Sequence, residues 1–319
     1  MIVPSLGLSP WQTEMLAALR RELDGQPAEI VWVHQGDAPP PALSGPGEHL
    51  VRLPRAAGFA VAANLGVAAA DSGSATIAIV NDDLVVEPGW LAALEVELTR
   101  RPRAAAVQGV QLELARPQLV EGCGLGWNRS WQAVQVAAGE PVPATTDPPF
   151  EVFGVSATAA LFRREALVAI AGARTSEGDA ARLFDERLGS YYEDVELAVR
   201  LRENEWESWC VPAARARHAG QATAGRAPLR RWRSIYRNRL LVLRHLLGGR
   251  FATALPGLAT RDLRDLLRAG LRGDGARALG VVAGWASAVP QLAAFAPPSA
   301  GANRLALAAA ERFRIGSKT

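Results

Sequence analysis

The sequence predicts an α/β fold: a mostly parallel, Rossmann-like central sheet flanked by helices, with a helical extension at the C-terminal end. Three observations carry that expectation. Short apolar runs of strand length alternate with helix-patterned segments through the first half, polar clusters stand at the ends of two of those runs, and arginine-rich helical patterning takes over beyond Arg226. Strands that alternate with helices pair in parallel and are covered on both faces.

Trp11 to Leu23 is the first predicted helix, with Met15, Leu16, Leu19 and Leu23 on one face. Ile30 to Val33 is a fully apolar strand that ends in His34-Gln35-Gly36-Asp37. A proline-rich loop, Ala38 to Gly47, leads to a second strand, Leu50 to Leu53, and then to a small-residue helix, Gly58 to Ala70. Ala75 to Val80 is a buried strand that runs straight into Asn81-Asp82-Asp83. Pro88 opens the next helix, with Trp90, Leu91, Leu94 and Leu98 inward. Val107 to Val152 reads as irregular strand and loop, followed by a strand at Val155 to Phe162 and a helix from Arg163. A loop from Arg174 to Ala181, a helix from Ser190 to Leu201 and a strand about Trp209-Cys210-Val211 complete this part.

The chain has 319 residues, 49% hydrophobic and 21% charged, which suits a globular protein with a sizeable core. A net charge of only +3 gives no electrostatic case for nucleic acid, and Lys318 is the only lysine. Cys123 and Cys210 have no second Cys or His beside them at ligand spacing, so neither marks a zinc site, and buried reduced thiols are expected. No basic region followed by a long apolar run opens the chain, so no signal peptide is expected. Ala278 to Ala296 approaches the length of a membrane span, but its Ala and Gly content and Pro290 favour a packed helix.

Two acidic clusters carry the chemistry. Asn81-Asp82-Asp83 follows a buried strand, where an open α/β sheet presents its ligands, and hard divalent cations bind through one or two carboxylates plus substrate phosphates. An acidic pair there also makes an ordinary turn or helix cap. Tyr192-Glu193-Asp194 opens the helix before Leu201. There Asp194 is placed to act as a general base, while Ser190 to Glu193 has the spacing of a capping box. His218 follows a strand, and a lone histidine serves structure more often than a metal.

In chain order, Val31 to Asp37, Gly58 to Val67, Ile79 to Leu91, Ala160 to Leu167, Phe184 to Arg187 and Tyr192 to Leu201 resemble the family-2 glycosyltransferases of the type-A fold, especially the bacterial rhamnosyltransferase and galactofuranosyltransferase group. The resemblance covers roughly residues 28 to 247. It implies inverting transfer of a sugar from a nucleotide diphosphate donor (dTDP-, UDP- or GDP-linked) to a glycan or lipid-linked acceptor, assisted by Mn²⁺ or Mg²⁺. By position it implies Asp194 as general base and Glu193 as its acceptor-side neighbour. It implies Asp83 and His218 as metal ligands, and His34, Asp37, Asn64, Asn81 and Asp82 at the nucleotide sugar. His34-Gln35-Gly36-Asp37 departs from the family's Asp-led cluster, with Asp37 as a substitute for the missing acid.

This gives a catalytic domain over residues 1–225, its nucleotide-sugar half about 1–105 and its acceptor half about 106–225, and an arginine-rich extension over 226–319. Those basic helices suit an anionic membrane surface or an oligomer contact, and the expected location is cytoplasmic, peripheral on the inner face of the plasma membrane. No nucleic-acid-binding motif accompanies them. The rival classes are a non-catalytic sugar-nucleotide or glycan-binding module of the same fold, and a nucleotidyltransferase. For the latter Leu6-Gly7-Leu8-Ser9-Pro10 is a poor glycine-rich loop. Gly122-Cys123-Gly124-Leu125-Gly126 has the wrong spacing for a dinucleotide fingerprint.

Overall fold

The computed structural model describes residues 1–171, 183–220, 227–297, 301 and 303–315. The loop expected at Arg174 to Ala181 lies outside the described residues. The first half alternates as β1 (Ile2–Ser5), α1 (Gln12–Leu23), β2 (Ile30–Gln35), β3 (Glu48–Leu53), α2 (Phe59–Ala69), β4 (Thr76–Val80), β5 (Leu84–Val86) and α3 (Trp90–Arg100). Strands then dominate: β6 (Ala104–Glu113), β7 (Arg116–Gly122), β8 (Leu125–Asn128), β9 (Ala133–Gln135), β10 (Phe150–Val152) and β11 (Ala159–Arg163). After these come α4 (Arg164–Ala171), α5 (Glu193–Glu203), β12 (Glu207–His218), α6 (Pro228–Leu247), α7 (Phe251–Leu271), α8 (Gly275–Ala288), α9 (Arg304–Arg312) and β13 (Arg314–Ile315).

The main sheet runs in the order β10-β12-β6-β11-β4-β1-β2-β3. β1 pairs in parallel with β2 and β4, β2 with β3, and β12 with β6, while β11 runs antiparallel between β4 and β6. Alternate residues feed opposite faces. Val3, Trp32, Ala78 and Val80 pack with Met15 and Leu19 of α1 and Trp90 and Leu94 of α3. Ile2, Val31, Val33, Ile77 and Ile79 pack with Ala63 and Val67 of α2 and Ile170 of α4 on the other face. This is the covered parallel sheet expected from the alternation, with two differences. Ile2–Ser5, part of a segment not read as strand, is the fully buried centre of the sheet. The region read as irregular strand and loop opens inside a ten-residue strand, β6, buried almost throughout.

A third core joins the two halves of the chain: Val195, Ala198 and Val199 of α5 pack with Leu240 to Leu247 of α6 and Ala306 and Ala310 of α9. The apolar run that approached a membrane span is α8 plus a 3₁₀ segment, Val289–Phe295. Its glycines serve close helix packing, because a Cβ on Gly280 would lie 2.3 Å from Trp232 Cβ and one on Gly284 2.6 Å from Tyr236 Cβ, both on α6. Beneath them Arg239 and Asp262 form a buried ion pair, to which the Trp285 indole N–H also donates. Cys123 and Cys210, distant in sequence, are free, buried neighbours in one small cluster.

Candidate active site

The parallel strands β1, β2, β4 and β12 end on one side of the sheet, and a cavity of about 430 Å³ opens there. Ser5, Gln35, Asn81, Asp82, Asp83 and His218 line it from those strand ends, Glu193 and Asp194 from the start of α5, and Arg230 and Arg231 from the start of α6. Both acidic clusters therefore meet in one volume.

The strand-end acids are firmly held. Ser5 Oγ donates to Asp82 Oδ2 at 2.6 Å, and Gln12 Nε2 donates to the same oxygen at 3.1 Å. Burial, partly offset by these donors and reinforced by the charge of Asp83, pushes the Asp82 carboxyl up to about 6. Asp83 lies beside His218 because β5 pairs with β12, setting Leu84 opposite His218. His218 Nε2 is 3.1 Å from Asp83 Oδ1, and its Nδ1 is 2.7 Å from Glu121 Oε2 on β7. Burial alone would lower the imidazole, but hydrogen bonds to Asp83 and Glu121 outweigh it and raise His218 to about 9.

This donor set fits a divalent cation, which would displace the proton that Asp83 and Glu121 favour on His218. A carboxylate on the far ring nitrogen fixes the orientation of a metal-binding histidine, and Glu121 stands in that position toward His218. Among the described residues no group of three His, Cys, Asp or Glu side chains suits a metal by itself. A cation held here by Asp83 and His218 would take its remaining ligands from phosphate oxygens and water, the usual habit of magnesium-type sites.

The helix-end acids are held differently. Tyr191 and Tyr192 both adopt left-handed backbone conformations, with φ of 73° and 69°, so the chain turns sharply and α5 begins at Glu193 itself. No capping box forms, because Ser190 Oγ is turned away to accept from the Phe59 N–H at the start of α2. Asn238 of α6 braces this turn by donating its side-chain amide to the carbonyls of Leu188, Ser190 and Tyr191 at 2.9, 3.1 and 2.7 Å. Asp194 Oδ1 accepts from the Val195 N–H at 2.8 Å, while Oδ2 has only a long contact, 3.4 Å, from the Ala157 N–H. Burial raises Asp194 to about 6. Burial first, and then the charge of Asp194, raise Glu193 well above the usual carboxylate range, and its Oε2 is buried with no hydrogen-bond partner. Asn81 Oδ1 is also buried and unpartnered in the same cavity.

Three expected nucleotide-sugar residues do not line this cavity. His34 is buried beneath Gly7, and its Nε2 meets the Ala38 carbonyl, so it braces the following loop. Asp37 is exposed on that loop. Asn64 faces inward from α2 and ties the segment before α5, donating to the Phe184 carbonyl and to Glu186 and accepting from the Phe184 N–H. In the same cluster it is Gln35 that reaches the cavity, its Oε1 accepting from the Ala57 N–H. Glu121, Ser5, Gln12 and Asn238 were not anticipated from the sequence, and each meets its partner only through long-range folding, while Arg230 and Arg231, read only as part of the basic extension, line the cavity.

No protein-family model matches the sequence, and no curated protein matches it. Solved structures do. GalNAc-T7 with UDP, GalNAc and Mn²⁺ superposes with a TM-score of 0.55 at 14% identity, covering 76% of this chain and 46% of that one. The chain thus spans about half the length of that protein. The mannosyltransferase PcManGT from Pyrobaculum calidifontis, in complex with GDP-Man and Mn²⁺, gives 0.48 at 17% identity, covering 98% of this chain and 85% of that one. At such identities the likeness is one of fold. The chain has the type-A glycosyltransferase fold, an α/β architecture with a central sheet of mostly parallel strands flanked by helices.

Proposed function

We propose that this protein is a metal-assisted, inverting glycosyltransferase that moves a sugar from a nucleotide diphosphate donor to a hydroxyl of a glycan or lipid-linked acceptor. One observation carries the reading: the Asp83–His218 pair, the Glu193–Asp194 pair and the arginines of α6 line a single cavity large enough for a nucleotide sugar. Ser5, Leu6, Gln35 and Phe59 form the nucleoside side, and Arg230 and Arg231 face the diphosphate. A divalent cation held by Asp83 and His218 would neutralise charge on the departing diphosphate.

Asp194 takes the acceptor's proton through its loosely held Oδ2. The acceptor oxygen then forms its bond to the anomeric carbon as the bond from that carbon to the phosphate oxygen breaks, and the electron pair leaves with the diphosphate. A single displacement inverts the anomeric configuration. Glu193, kept protonated by burial, donates from its unpartnered carboxyl to a sugar oxygen. The rhamnosyl- or galactofuranosyltransferase specificity belongs to this proposal and rests on motif resemblance.

A screen of dTDP-, UDP- and GDP-sugars with Mn²⁺ tests the reading, first by thermal shift and then by nucleotide release. A donor that raises the melting temperature and is turned over with inversion, read by NMR of the product, supports it. Donor binding without release under any acceptor condition would instead indicate a binding module.

A further inference from the structure

We propose that the outer face of α7 and α8 docks on an anionic lipid surface. On α7, Leu263, Leu267 and Leu271 recur every four residues and are 54%, 58% and 90% exposed. Arg264, Arg268 and Arg272 recur one position later, through the last turns of the helix and its C-cap, and are exposed as well. Residues four apart share a helix face, so an apolar stripe runs beside a basic one, the pattern of helices that lie in a membrane interface. α8 adds Leu279 and Val282, and the 3₁₀ segment adds Val289, all exposed. Within Gly275–Phe295 an 18-residue window has a mean hydropathy of 1.5 with only 28% of it buried, although its glycine edge is committed to α6.

The charges select the occupant. Asp262 is buried against Arg239, Asp265 pairs with Arg261 and Arg277, and Asp274 accepts from the Arg277 N–H at the start of α8. The acids on these helices are thus engaged, and Arg264, Arg268 and Arg272 form no side-chain ion pair among the described residues. A second copy docking here about a two-fold axis would bring two sets of arginines together with no free acid to receive them. Lipid phosphates supply the missing counter-charge, and acyl chains cover the leucines. α6 links this face to the cavity, since its residues Trp232 to Arg237 pack on α8 immediately after Arg230 and Arg231, which line the cavity.

Flotation of the full chain with vesicles, without donor, tests the proposal independently of the transfer chemistry. The wild type should float with phosphatidylcholine vesicles containing phosphatidylglycerol, stay behind with phosphatidylcholine alone, and be released by salt. The triple variant R264Q/R268Q/R272Q should lose on the order of 100-fold in partitioning, at roughly a factor of five per arginine. L267E/L271E should also release the protein, with an unchanged circular dichroism spectrum because both leucines are exposed. Failure of the wild type to float, or equal flotation of both variants, overturns the proposal. So does retention after carbonate extraction, which would make Gly275–Phe295 a spanning segment. A dimer that L267E/L271E dissolves in a protein without vesicle binding would show instead that a second copy covers the face.

Discussion

The two acidic clusters share one cavity, but they are built for opposite purposes. The strand-end acids are partnered by side chains distant in sequence: Asp82 accepts from Ser5 and Gln12, and Asp83 shares His218 with Glu121. Each carboxylate there meets a side-chain partner, although burial still raises Asp82 to about 6. The helix-end acids are left short of partners, with a bare Glu193 Oε2 and a loosely held Asp194 Oδ2, and burial has raised both. Adjacent carboxyls in such a site cannot both ionise cheaply, so Asp194, raised to about 6, ionises before Glu193, which burial and the charge of Asp194 raise further. On the proposed reading, that difference in hydrogen bonding separates a positioning cluster from a proton-handling one.

The largest expected effect breaks the proton-handling side alone. Asp194→Asn should lower kcat by about 10³-fold or more while leaving the donor dissociation constant within about twofold. In the wild type, kcat should rise with pH through about 6 and then level, because only the ionised Asp194 accepts a proton. A wild-type rate in the Asn variant removes Asp194 from the role of base. On the other side, Asp83→Ala should weaken Mn²⁺ binding by about 100-fold, and Glu121→Gln by about tenfold, since a carboxylate behind a histidine ligand typically contributes that much. Mn²⁺ titration followed by electron paramagnetic resonance reads this without turnover. Unchanged affinity in both variants would detach the metal from this pair.

A smaller effect probes how the two sides are joined. Asn238→Ala removes the amide that braces Leu188, Ser190 and Tyr191, leaving buried carbonyls unpaired at a cost of about 1–3 kcal/mol. Because that turn sets where α5 begins, kcat should fall by about tenfold with Mn²⁺ affinity intact. A loss of Mn²⁺ binding equal to that of Glu121→Gln would mean that the clusters are not mechanically separable.

The contrast was unevenly legible in the sequence. Ile77 to Asp83 shows its strand and its acids because a buried parallel strand is a continuous apolar run and the acids follow it directly. The helix from Glu193 shows its periodicity, but not the two left-handed tyrosines that aim it, since neither tyrosine is a residue that ordinarily marks such a turn. Strand β1 is four residues long, too short for a period, and β6 is disguised by three alanines and a glycine. Ser5 lies 77 positions from Asp82, and Glu121 lies 97 from His218. Pairings of that separation leave no periodic trace, so the partners that distinguish the clusters emerge only from the fold. His34 shows the converse: a polar residue at a strand end is legible, but whether it faces a ligand or a loop depends on the close approach of Gly7.

The smallest expected effect concerns stability and tests the helix-end pair. Glu193 has a folded value raised above its unfolded one. Below the unfolded value, near 4.5, both states are protonated and burial of the neutral acid costs nothing extra. As pH rises past it the unfolded chain sheds its proton and the folded one does not, so the fold steadily loses stability up to the folded value. Glu193→Gln keeps the shape and abolishes that loss. The variant should therefore melt with the wild type near pH 4 and above it by pH 7, by on the order of 3 °C. An equal offset at both values would mean that Glu193 is not held protonated, and the proton-handling reading of the helix-end pair would fall with it.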